Sequence, residues 1–236
     1  MRKIDPKENE RIDDLCRDGY MILQDTKGFL FGVDAVLLTD FVKKVPEGGS
    51  VLDICSGNGI IPILLAAKTK AGHIDGLEIQ EDVVDMASRS VYMNELEERI
   101  TMTCGDLKEI NRYYKAHSFD VVTVNPPYTK ESGGLTGEND SRIIARHEVK
   151  CSLSDVIKAS AQMLKFGGAF FMVHRPQRLV DIMSLMREYQ IEPKRMQLSY
   201  NTRESEPNLV FIEGRYKGNP ELRIEPPLIL DEQGEK

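Results

Sequence analysis

Four consecutive residues, Asn125-Pro126-Pro127-Tyr128, combine groups that could hold a planar amine or amide in place. The side-chain carbonyl of Asn125 and the backbone carbonyl of Pro126 together can accept both hydrogens of an NH2 group. The two prolines fix φ and keep the residues before them extended, so these acceptors are rigidly aimed. The ring of Tyr128 offers a face on which a flat substrate can stack. A simple turn at the end of a strand is the alternative interpretation, because Asn-Pro is common in turns.

A second group of residues could hold a nucleotide-like ligand. The run Asp53-Ile54-Cys55-Ser56-Gly57-Asn58-Gly59 follows a short apolar stretch and opens an apolar-faced helix. Its two glycines let the backbone approach a ligand closely, and a helix N-terminus offers N–H groups to a carboxylate or phosphate. Glu78 ends the next apolar stretch, where a carboxylate can accept two hydrogen bonds from a ribose diol. NAD and S-adenosylmethionine both fit such a site, whereas no P-loop sequence is present.

A third short segment, Gly105-Asp106-Leu107, follows another apolar stretch. Asp106 could accept a hydrogen bond from an adenine amine, and Leu107 could pack on the ring of the base. A turn or a helix cap is the alternative role for Asp106. The segment is informative only together with the two preceding groups.

The elements that must position these residues alternate along the chain. Strands are predicted over residues 51–54, within 72–79, and over 100–104, 119–124, 169–174, 196–200 and 209–216. Helices are predicted over residues 35–44, with Asp34 as N-cap, and over 59–70, 83–96, 153–164 and 177–189. The helix over 153–164 is expected to stop at Gly167 and Gly168. Strands separated by helices predict a doubly wound α/β fold with a mostly parallel, seven-stranded sheet.

The remaining segments complete the predicted organisation. Residues 20–24 and 29–31 flank a turn at 25–28 and predict a short N-terminal hairpin within residues 20–31. Residues 1–218 are expected to form one domain, followed by a loosely packed tail rich in Pro and Glu over 219–236. The glycine-containing loop 129–139 lies where open α/β sheets bind ligands, which predicts a mobile lid or substrate clamp. A disordered loop without a role is the alternative.

Composition and charge narrow the class of protein. The chain has 236 residues, 41% of them hydrophobic, and a net charge of −7, which argues against indiscriminate binding to polyanions. Residues 142–203 nevertheless contain eleven Lys or Arg against five Asp or Glu, an excess that suits a nucleic-acid surface or simply a solvated one. The four cysteines, separated along the chain, suit reduced thiols, and neither they nor the histidines have metal-ligand spacing. We predict a cytoplasmic protein without metal, leader or membrane span, because the apolar stretch 60–67 is too short to cross a bilayer.

The order of these motifs resembles that of class I S-adenosylmethionine-dependent methyltransferases that modify amino or amide nitrogens. The resemblance covers residues 29–215 and implies S-adenosylmethionine as cofactor. It departs from the family at Cys55, where the first loop glycine is usual. By resemblance, Asp53 contacts the methionine end of the cofactor and the segment Phe31-Gly32-Val33-Asp34 covers it, with a hairpin-and-cap role as the alternative. The implied cofactor-binding residues are Phe31, Asp34, Asp53, Ser56, Gly57, Gly59, Glu78, Ile79, Asp106, Leu107 and Asn125, and the implied catalytic residues are Asn125, Pro126 and Tyr128.

Further residues bear on which nitrogen is modified. The short N-terminus, the segment Ala145-Arg146-His147-Glu148 and the late run Arg203-Glu204-Ser205-Glu206-Pro207-Asn208-Leu209-Val210 resemble the bacterial tRNA (valine) adenine N6-methyltransferases. That resemblance implies adenine 37 of tRNA as the target. Protein glutamine, small-molecule and ribosomal RNA methyltransferases, and a non-catalytic adenosine-binding module, remain alternatives. Candidate substrate-binding residues are Pro127, Arg142, Arg146, His147 and Arg175, and further candidates for phosphate contacts are Lys150, Arg178, Lys194 and Arg195.

Overall fold

A computed structural model describes residues 1–28, 32–128 and 151–231 of the chain. The strands are β1 (Glu10–Asp14), β2 (Met21–Asp25), β3 (Ser50–Ile54), β4 (His73–Glu78), β5 (Ile100–Cys104), β6 (Phe119–Val124), β7 (Leu164–His174), β8 (Ile191–Tyr200), β9 (Pro207–Tyr216), β10 (Arg223–Ile224) and β11 (Leu228–Ile229). The α-helices are α1 (Val33–Phe41), α2 (Ile60–Lys68), α3 (Glu81–Met93), α4 (Leu153–Met163) and α5 (Leu179–Glu188), with 3-10 helices at Leu107–Arg112 and Pro176–Arg178.

The main sheet has the strand order β10-β8-β9-β7-β6-β3-β4-β5, with β11 also beside β8. Strands β5, β4, β3, β6 and β7 are parallel, whereas β9 runs antiparallel to both β7 and β8. The seven predicted strands correspond to β3 through β9. The predicted doubly wound, mostly parallel α/β fold is therefore confirmed.

Two apolar cores lie on opposite faces of the sheet. One joins Leu38 of α1 and Leu64 of α2 to Val51 of β3. The other joins Ile157 of α4 to Leu52, the next residue of β3. Successive side chains of a strand point to opposite faces, so helices cover both sides of the sheet and its central strands are buried.

An N-terminal hairpin is present, but its first strand precedes the predicted one. Strand β2 pairs antiparallel with β1, in a register that sets Glu10 opposite Asp25. The connecting turn places Asp18 and Gly19 at φ of 49° and 72°, values typical of a type I′ turn, for which Asp-Gly is a strong signal. Strand β1, with the sequence Glu-Arg-Ile-Asp-Asp, has only one apolar side chain, so it lacks the apolar pattern that would have predicted a strand. The predicted partner, residues 29–31, lies outside the described residues.

The hairpin is fixed to α3 by side-chain hydrogen bonds to the β2 backbone. The amide of Met21 donates to Asn94 Oδ1 at 2.9 Å, and the amide of Leu23 donates to Ser90 Oγ at 2.9 Å. Asn58 Nδ2 in turn donates to the carbonyl of Leu23 at 3.2 Å. These bonds satisfy an edge that would otherwise expose unpaired backbone groups, and they connect the hairpin to the loop after β3.

Three local predictions were wrong. Helix α1 begins at Val33 after Gly32, so Asp34 lies within the first turn and is not the N-cap, and the helix ends at Phe41 rather than at residue 44. Helix α4 ends at Met163 because Leu164 is already extended. Gly167 and Gly168 consequently lie within β7 instead of ending a helix, with Gly167 at φ 73°.

The tail after residue 218 packs more closely than expected. Arg223–Ile224 and Leu228–Ile229 each pair in parallel with β8, and the amide of Glu225 donates to the Met196 carbonyl at 2.8 Å. The predicted domain boundary at residue 218 stays a prediction. In the part of the chain that the structure describes, no helix combines the length and apolar character needed to cross a membrane.

Candidate active site

The candidate site lies at the point where the order of strands in the sheet reverses. From β3 the chain crosses to β4 on one side, and the later strand β6 lies on the other side of β3. Ile54 and Val124, the last residues of β3 and β6, are aligned in register. The glycine loop (residues 53–59) and the Asn-Pro-Pro-Tyr segment (residues 125–128) therefore meet at the carboxyl edge. In open α/β sheets this switch point is the usual place for a ligand.

Asp53 is a buried acid in the glycine loop with an incomplete set of partners. It is fully buried, and Thr123 Oγ1 of the neighbouring strand donates to its Oδ1 at 2.6 Å. Its Oδ2 has no hydrogen-bond partner among the described residues. Burial raises the pKa of Asp53 to about 7, the bond from Thr123 and the nearby Ser56 side chain oppose the rise, and the charge of Glu78 adds slightly to it. A cationic group beside Oδ2 would favour the ionised carboxylate.

Ser56 presents a second buried polar atom without a protein partner. Its side chain is 3% exposed, and its Oγ has no hydrogen-bond partner within residues 1–28, 32–128 and 151–231. Its backbone amide donates to the Leu77 carbonyl of β4 at 3.0 Å, which fixes the loop against the next strand. Buried polar atoms are usually paired, so Asp53 Oδ2 and Ser56 Oγ indicate a place for a polar ligand.

The backbone of the glycine loop is left-handed at three positions, namely Cys55, Gly57 and Gly59, with φ of 61°, 54° and 82°. A Cβ built on Gly57 would meet no atom within 4 Å, so the backbone there is open to a ligand. Cys55 adopts the same left-handed region although it carries a side chain, at the position where the family's first loop glycine is usual. That conformation costs an L-residue roughly 1–2 kcal/mol.

The thiols of Cys55 and Cys151 influence each other, although 95 residues separate them in the sequence. The neighbouring thiol, together with burial, raises the pKa of Cys55 well above its ordinary value, and the thiol of Cys55 lowers the pKa of Cys151. All four cysteines are free. The spacing of the cysteines along the chain gave no indication of this interaction.

Glu78 orients the glycine loop from the end of β4. Its Oε2 accepts a hydrogen bond from the amide of Gly57 at 3.1 Å, and its Oε1 accepts from the amide and side chain of Gln80 at 3.1 and 3.2 Å. The carboxylate is 7% exposed. A carboxylate has about four acceptor sites, so capacity remains for the predicted ribose contact.

The residues after β4 and β5 lie side by side because Glu78 and Cys104 are paired in register. Asp106 caps the following 3-10 helix, since its Oδ1 accepts from the amide of Lys108 at 2.9 Å. In the structure Asp106 therefore has its alternative role, as a helix cap. Leu107 is 8% exposed within the apolar core, and Ile79 is half-buried.

The Asn-Pro-Pro-Tyr segment is held by polar contacts from distant parts of the chain. The hydroxyl of Tyr128 lies 2.8 Å from Asp34 Oδ2 and 2.9 Å from Asn125 Oδ1. Burial, followed by the charge of Asp34, raises the pKa of Tyr128 well above its ordinary value, so the phenol keeps its proton. Pro126 is buried, while Asn125 and Pro127 are half-buried at the crevice. The first turn of α1 therefore contacts the Asn-Pro-Pro-Tyr segment through Asp34, and the role of the segment stays a prediction.

Two residues at the carboxyl end of β7, its last residue His174 and the next residue Arg175, complete the surroundings of Tyr128. The ring of His174 packs edge-on against Tyr128 at a centroid distance of 5.2 Å, and the guanidinium of Arg175 lies 5.0 Å from the Tyr128 ring centroid. Arg175 Nη1 also donates to the Asn208 carbonyl at 3.0 Å. Burial lowers the pKa of His174 to about 4, and its Nδ1 accepts from the Arg175 amide at 2.8 Å. His174 is therefore neutral near pH 7, with its proton on Nε2.

Several sequence predictions for substrate binding need correction or fall outside the described residues. Arg195 was a candidate for a phosphate contact, but it is 9% exposed, pairs with Glu213 at 2.8 Å and donates to the Phe41 carbonyl at 2.6 Å. Lys194 Nζ donates to the carbonyl of Asn219 at 3.1 Å. Charge in a sequence does not reveal such burial. The predictions outside the described residues concern Phe31, Arg142, Arg146, His147, Lys150, the segment 145–148 and the loop 129–139.

Thr123, His174 and Asn208 were not predicted as parts of the site. Thr123 had a detectable signal, because a polar residue interrupts the apolar run of β6 at the position paired with Asp53. His174 and Asn208 gave none, since their partners come from other strands. Among the residues described, no group of three or more His, Cys, Asp or Glu side chains could hold a metal ion.

Comparisons with known proteins agree with this fold. A Porphyromonas gingivalis protein, tRNA1(Val) (adenine(37)-N6)-methyltransferase, is 26% identical over 189 residues, covering 78% of this chain and 73% of that protein. A protein of the same name from Tolumonas auensis is 27% identical, covering 82% and 79%. The solved structure of a predicted O-methyltransferase from Agrobacterium tumefaciens shares the fold, with a TM-score of 0.67 and 18% identity over 83% of this chain and 86% of that one. The family model for the methyltransferase small domain matches residues 32–190, more than half of the chain, and the chain belongs to this methyltransferase family.

Proposed function

We propose that this protein is an S-adenosylmethionine-dependent methyltransferase that modifies the exocyclic N6 amine of an adenine in tRNA. The observation that carries the proposal is the Asn-Pro-Pro-Tyr segment at the switch point, beside a glycine loop in which Asp53 Oδ2 and Ser56 Oγ lack partners among the described residues. The curated relatives narrow the expected target to adenine 37 of tRNA1(Val). With tRNA as substrate, the predicted cytoplasmic location follows.

The glycine loop fits S-adenosylmethionine through its chemistry. The unpaired Oδ2 of Asp53 suits the ammonium group at the methionine end, and the open side of Gly57 leaves room for close approach. Glu78 lies where it can accept from the ribose hydroxyls, and Ile79 and Leu107 supply apolar surface near the ends of β4 and β5. When bound, S-adenosylmethionine supplies an electrophilic methyl group on a sulfonium centre.

Asn125 and Pro126 would activate the nitrogen by accepting its two hydrogens. The lone pair of an adenine N6 is conjugated into the ring, so the amine is a weak nucleophile. Acceptors at both N–H groups increase the electron density on nitrogen and favour its pyramidal form. In-line attack on the methyl group would form the N–C bond as the C–S bond breaks and S-adenosylhomocysteine leaves; the nitrogen would then lose its proton to solvent, so no strong base is required. Positioning accounts for most of the rate enhancement, because holding the reactants in a productive orientation lowers the activation barrier by roughly 7–11 kcal/mol.

Tyr128 would bind the target base by stacking on one face of its ring. Arg175 lies over the Tyr128 ring at 5.0 Å, so a stacked purine would use the face opposite Arg175. Stacking of a base on an aromatic side chain contributes roughly 1–3 kcal/mol, while splaying an adenine out of a tRNA loop costs a few kcal/mol. The remaining binding energy must come from contacts to the RNA backbone, which the excess of basic residues over 142–203 can supply.

The decisive experiment is a parallel methyl-transfer assay. The purified protein and labelled S-adenosylmethionine are incubated with tRNA lacking the modification, with ribosomal RNA and with a release factor. We expect label in tRNA alone, recovered as N6-methyladenosine after digestion to nucleosides. Label in the release factor and none in tRNA would instead identify a protein glutamine methyltransferase. Asn125→Ala should greatly reduce the initial rate of labelling, whereas Asn111→Ala, at an exposed position, should leave it unchanged.

A further inference from the structure

Three polar groups form a row that ends at the amine-presenting side chain. The carboxylate of Asp34, the hydroxyl of Tyr128 and the side-chain amide of Asn125 lie in sequence, with contacts of 2.8 and 2.9 Å. Asp34 is 9% exposed and lies in the first turn of α1, 94 residues from Tyr128 in the sequence. The three side chains therefore come from two separate elements that the fold brings together.

The proton count of this row is the key observation. A phenol has one proton, yet the hydroxyl of Tyr128 has acceptors on both sides if Asn125 presents its oxygen. Tyr128 keeps its proton, and a carboxylate is a stronger acceptor than an amide oxygen. The proton of Tyr128 is accordingly donated to Asp34. The atom of Asn125 that faces the hydroxyl must then be a donor, which is the amide nitrogen.

The two ends of an asparagine amide have nearly the same shape, so the hydrogen-bond network decides which end occupies each place. With its nitrogen toward Tyr128, Asn125 directs its carbonyl oxygen away from the hydroxyl. That is the end required to accept a hydrogen from a target amine. In the opposite orientation an NH2 group would face the NH2 group of the substrate, with no acceptor between them.

We infer that Asp34 is a positioning residue that selects the orientation of the Asn125 amide through the hydroxyl of Tyr128. The inference rests on the proposed function for its consequence in catalysis, but the hydrogen-bond assignment itself does not require a substrate. It gives Asp34 a role different from the predicted contact with the cofactor. It also explains why the hydroxyl of Tyr128, and not only its ring, matters at this site.

The kinetic test is a double-mutant cycle with Asp34→Asn, Tyr128→Phe and the double variant. Each single variant should lower kcat roughly 10- to 100-fold, the size expected when a charge-assisted hydrogen bond is lost. The KM for tRNA and the Kd for S-adenosylmethionine should change little. In the Tyr128→Phe background, Asp34→Asn should change kcat by less than about twofold, because Asp34 acts only through the hydroxyl. Full additivity of the two effects would overturn the inference.

A matched control separates this role from the stability of α1. Asp40 is an exposed acid on the same helix that pairs with Lys68 at 2.5 Å, and Asp40→Asn should leave kcat unchanged. A loss of kcat in Asp40→Asn as large as that in Asp34→Asn would assign both effects to the helix and overturn the inference.

A spectroscopic test requires no methyl transfer. The side-chain NH2 resonances of Asn125 can be assigned by NMR from their disappearance in Asn125→Ala. We expect them to shift in both Tyr128→Phe and Asp34→Asn, and to stay in place in Asp40→Asn. Unchanged resonances in Tyr128→Phe would overturn the inference. If these shifts occur but no adenine is methylated, the proposed function fails while the positioning role of Asp34 is supported.

Discussion

The glycine loop and the Asn-Pro-Pro-Tyr segment are neighbours at one edge of the sheet, but they differ in whether their polar atoms have hydrogen-bond partners in the protein. In the glycine loop, Asp53 Oδ2 and Ser56 Oγ are buried without a partner among the described residues. In the Asn-Pro-Pro-Tyr segment, the hydroxyl of Tyr128 is close to both Asp34 and Asn125. One region is incomplete in the protein alone, whereas the other is already organised by protein contacts.

This difference indicates two ways of preparing a site. A buried acid without a full set of partners reduces the stability of the protein alone and gains it back when a cationic ligand binds. A segment with satisfied hydrogen bonds is rigid before the substrate arrives, which reduces the entropy lost on binding. We therefore expect changes in the glycine loop to act on cofactor affinity, and changes around Asn125 to act on the methyl-transfer rate.

The largest effect on the glycine loop should come from Asp53→Asn, which keeps the shape but removes the charge. At pH 7.5 we expect the Kd for S-adenosylmethionine to rise roughly 10- to 100-fold, as for a lost charge-assisted hydrogen bond. The same variant should be at least as stable as the natural protein without cofactor, because it removes a buried ionised group. Calorimetric titration and urea unfolding measure the two quantities. A variant that unfolds more easily and binds the cofactor normally would show that Asp53 is only structural.

The pH dependence of binding should follow from the raised pKa of Asp53, which is about 7. Since the cofactor's ammonium favours the ionised carboxylate, binding should release a proton below pH 7. The affinity should then fall by up to about tenfold for each pH unit below 7. Titrations between pH 5.5 and 7.5 in buffers of different ionisation enthalpy would detect this proton. A flat affinity over this range, equal to that of Asp53→Asn, would contradict the assignment.

The stability of the region around Tyr128 should respond to acid through His174, whose pKa is lowered to about 4 by burial. Because the folded pKa lies below the ordinary value of 6.5, the stabilisation is present above pH 6.5 and is lost as the pH falls toward 4. We expect a loss of roughly 1–3 kcal/mol. Asp53 acts in the opposite direction, since its raised pKa makes the folded state less stable as the pH rises from about 4 to 7. To isolate His174, the free energy of unfolding in urea is measured between pH 4 and 7 for Asp53→Asn and for Asp53→Asn/His174→Gln. The same pH dependence of this free energy in the two proteins would contradict the role of His174.

The smallest effect should come from the left-handed backbone of Cys55. Cys55→Gly should increase the free energy of unfolding by about 1 kcal/mol, because glycine adopts this conformation without steric cost. Cys16 is a matched control, since it is exposed with φ of 51° and lies away from the glycine loop. Cys16→Gly should give a similar gain. A loss of stability in Cys55→Gly alone would show that the thiol interaction with Cys151 outweighs the backbone strain.

The sequence predicted the main elements because they depend on local patterns. The buried parallel strands appear as short apolar runs, and the motif at each strand end then follows from the shared edge of the sheet. Strand β1 was missed because Ile12 is its only apolar residue, although Asp18-Gly19 marked the turn. The pairing of β10 and β11 with β8 was missed because two-residue strands have no periodicity.

Contacts across long sequence separations could not be predicted. The partner of Tyr128 is Asp34, and neither residue type specifies the other. Arg195 was a candidate for a phosphate contact, yet it is buried against Phe41, with its guanidinium 3.9 Å from the ring centroid. The lowered pKa of His174 likewise results from burial, which only the assembled fold determines. The sequence thus indicated which residues lie at the strand ends, and the structure was needed to assign their partners.

The most direct test of this division between cofactor affinity and transfer rate is the behaviour of Asn125→Ala. We predict that its single-turnover rate of methyl transfer to tRNA falls about 10²- to 10³-fold, as when a preorganised hydrogen-bonding group is removed from an active site. Its Kd for S-adenosylmethionine should stay within about twofold of the natural value, because Asp53 and Glu78 are held by Thr123, Gly57 and Gln80. A variant that retains the full transfer rate, or that loses cofactor affinity in proportion to rate, would contradict the account.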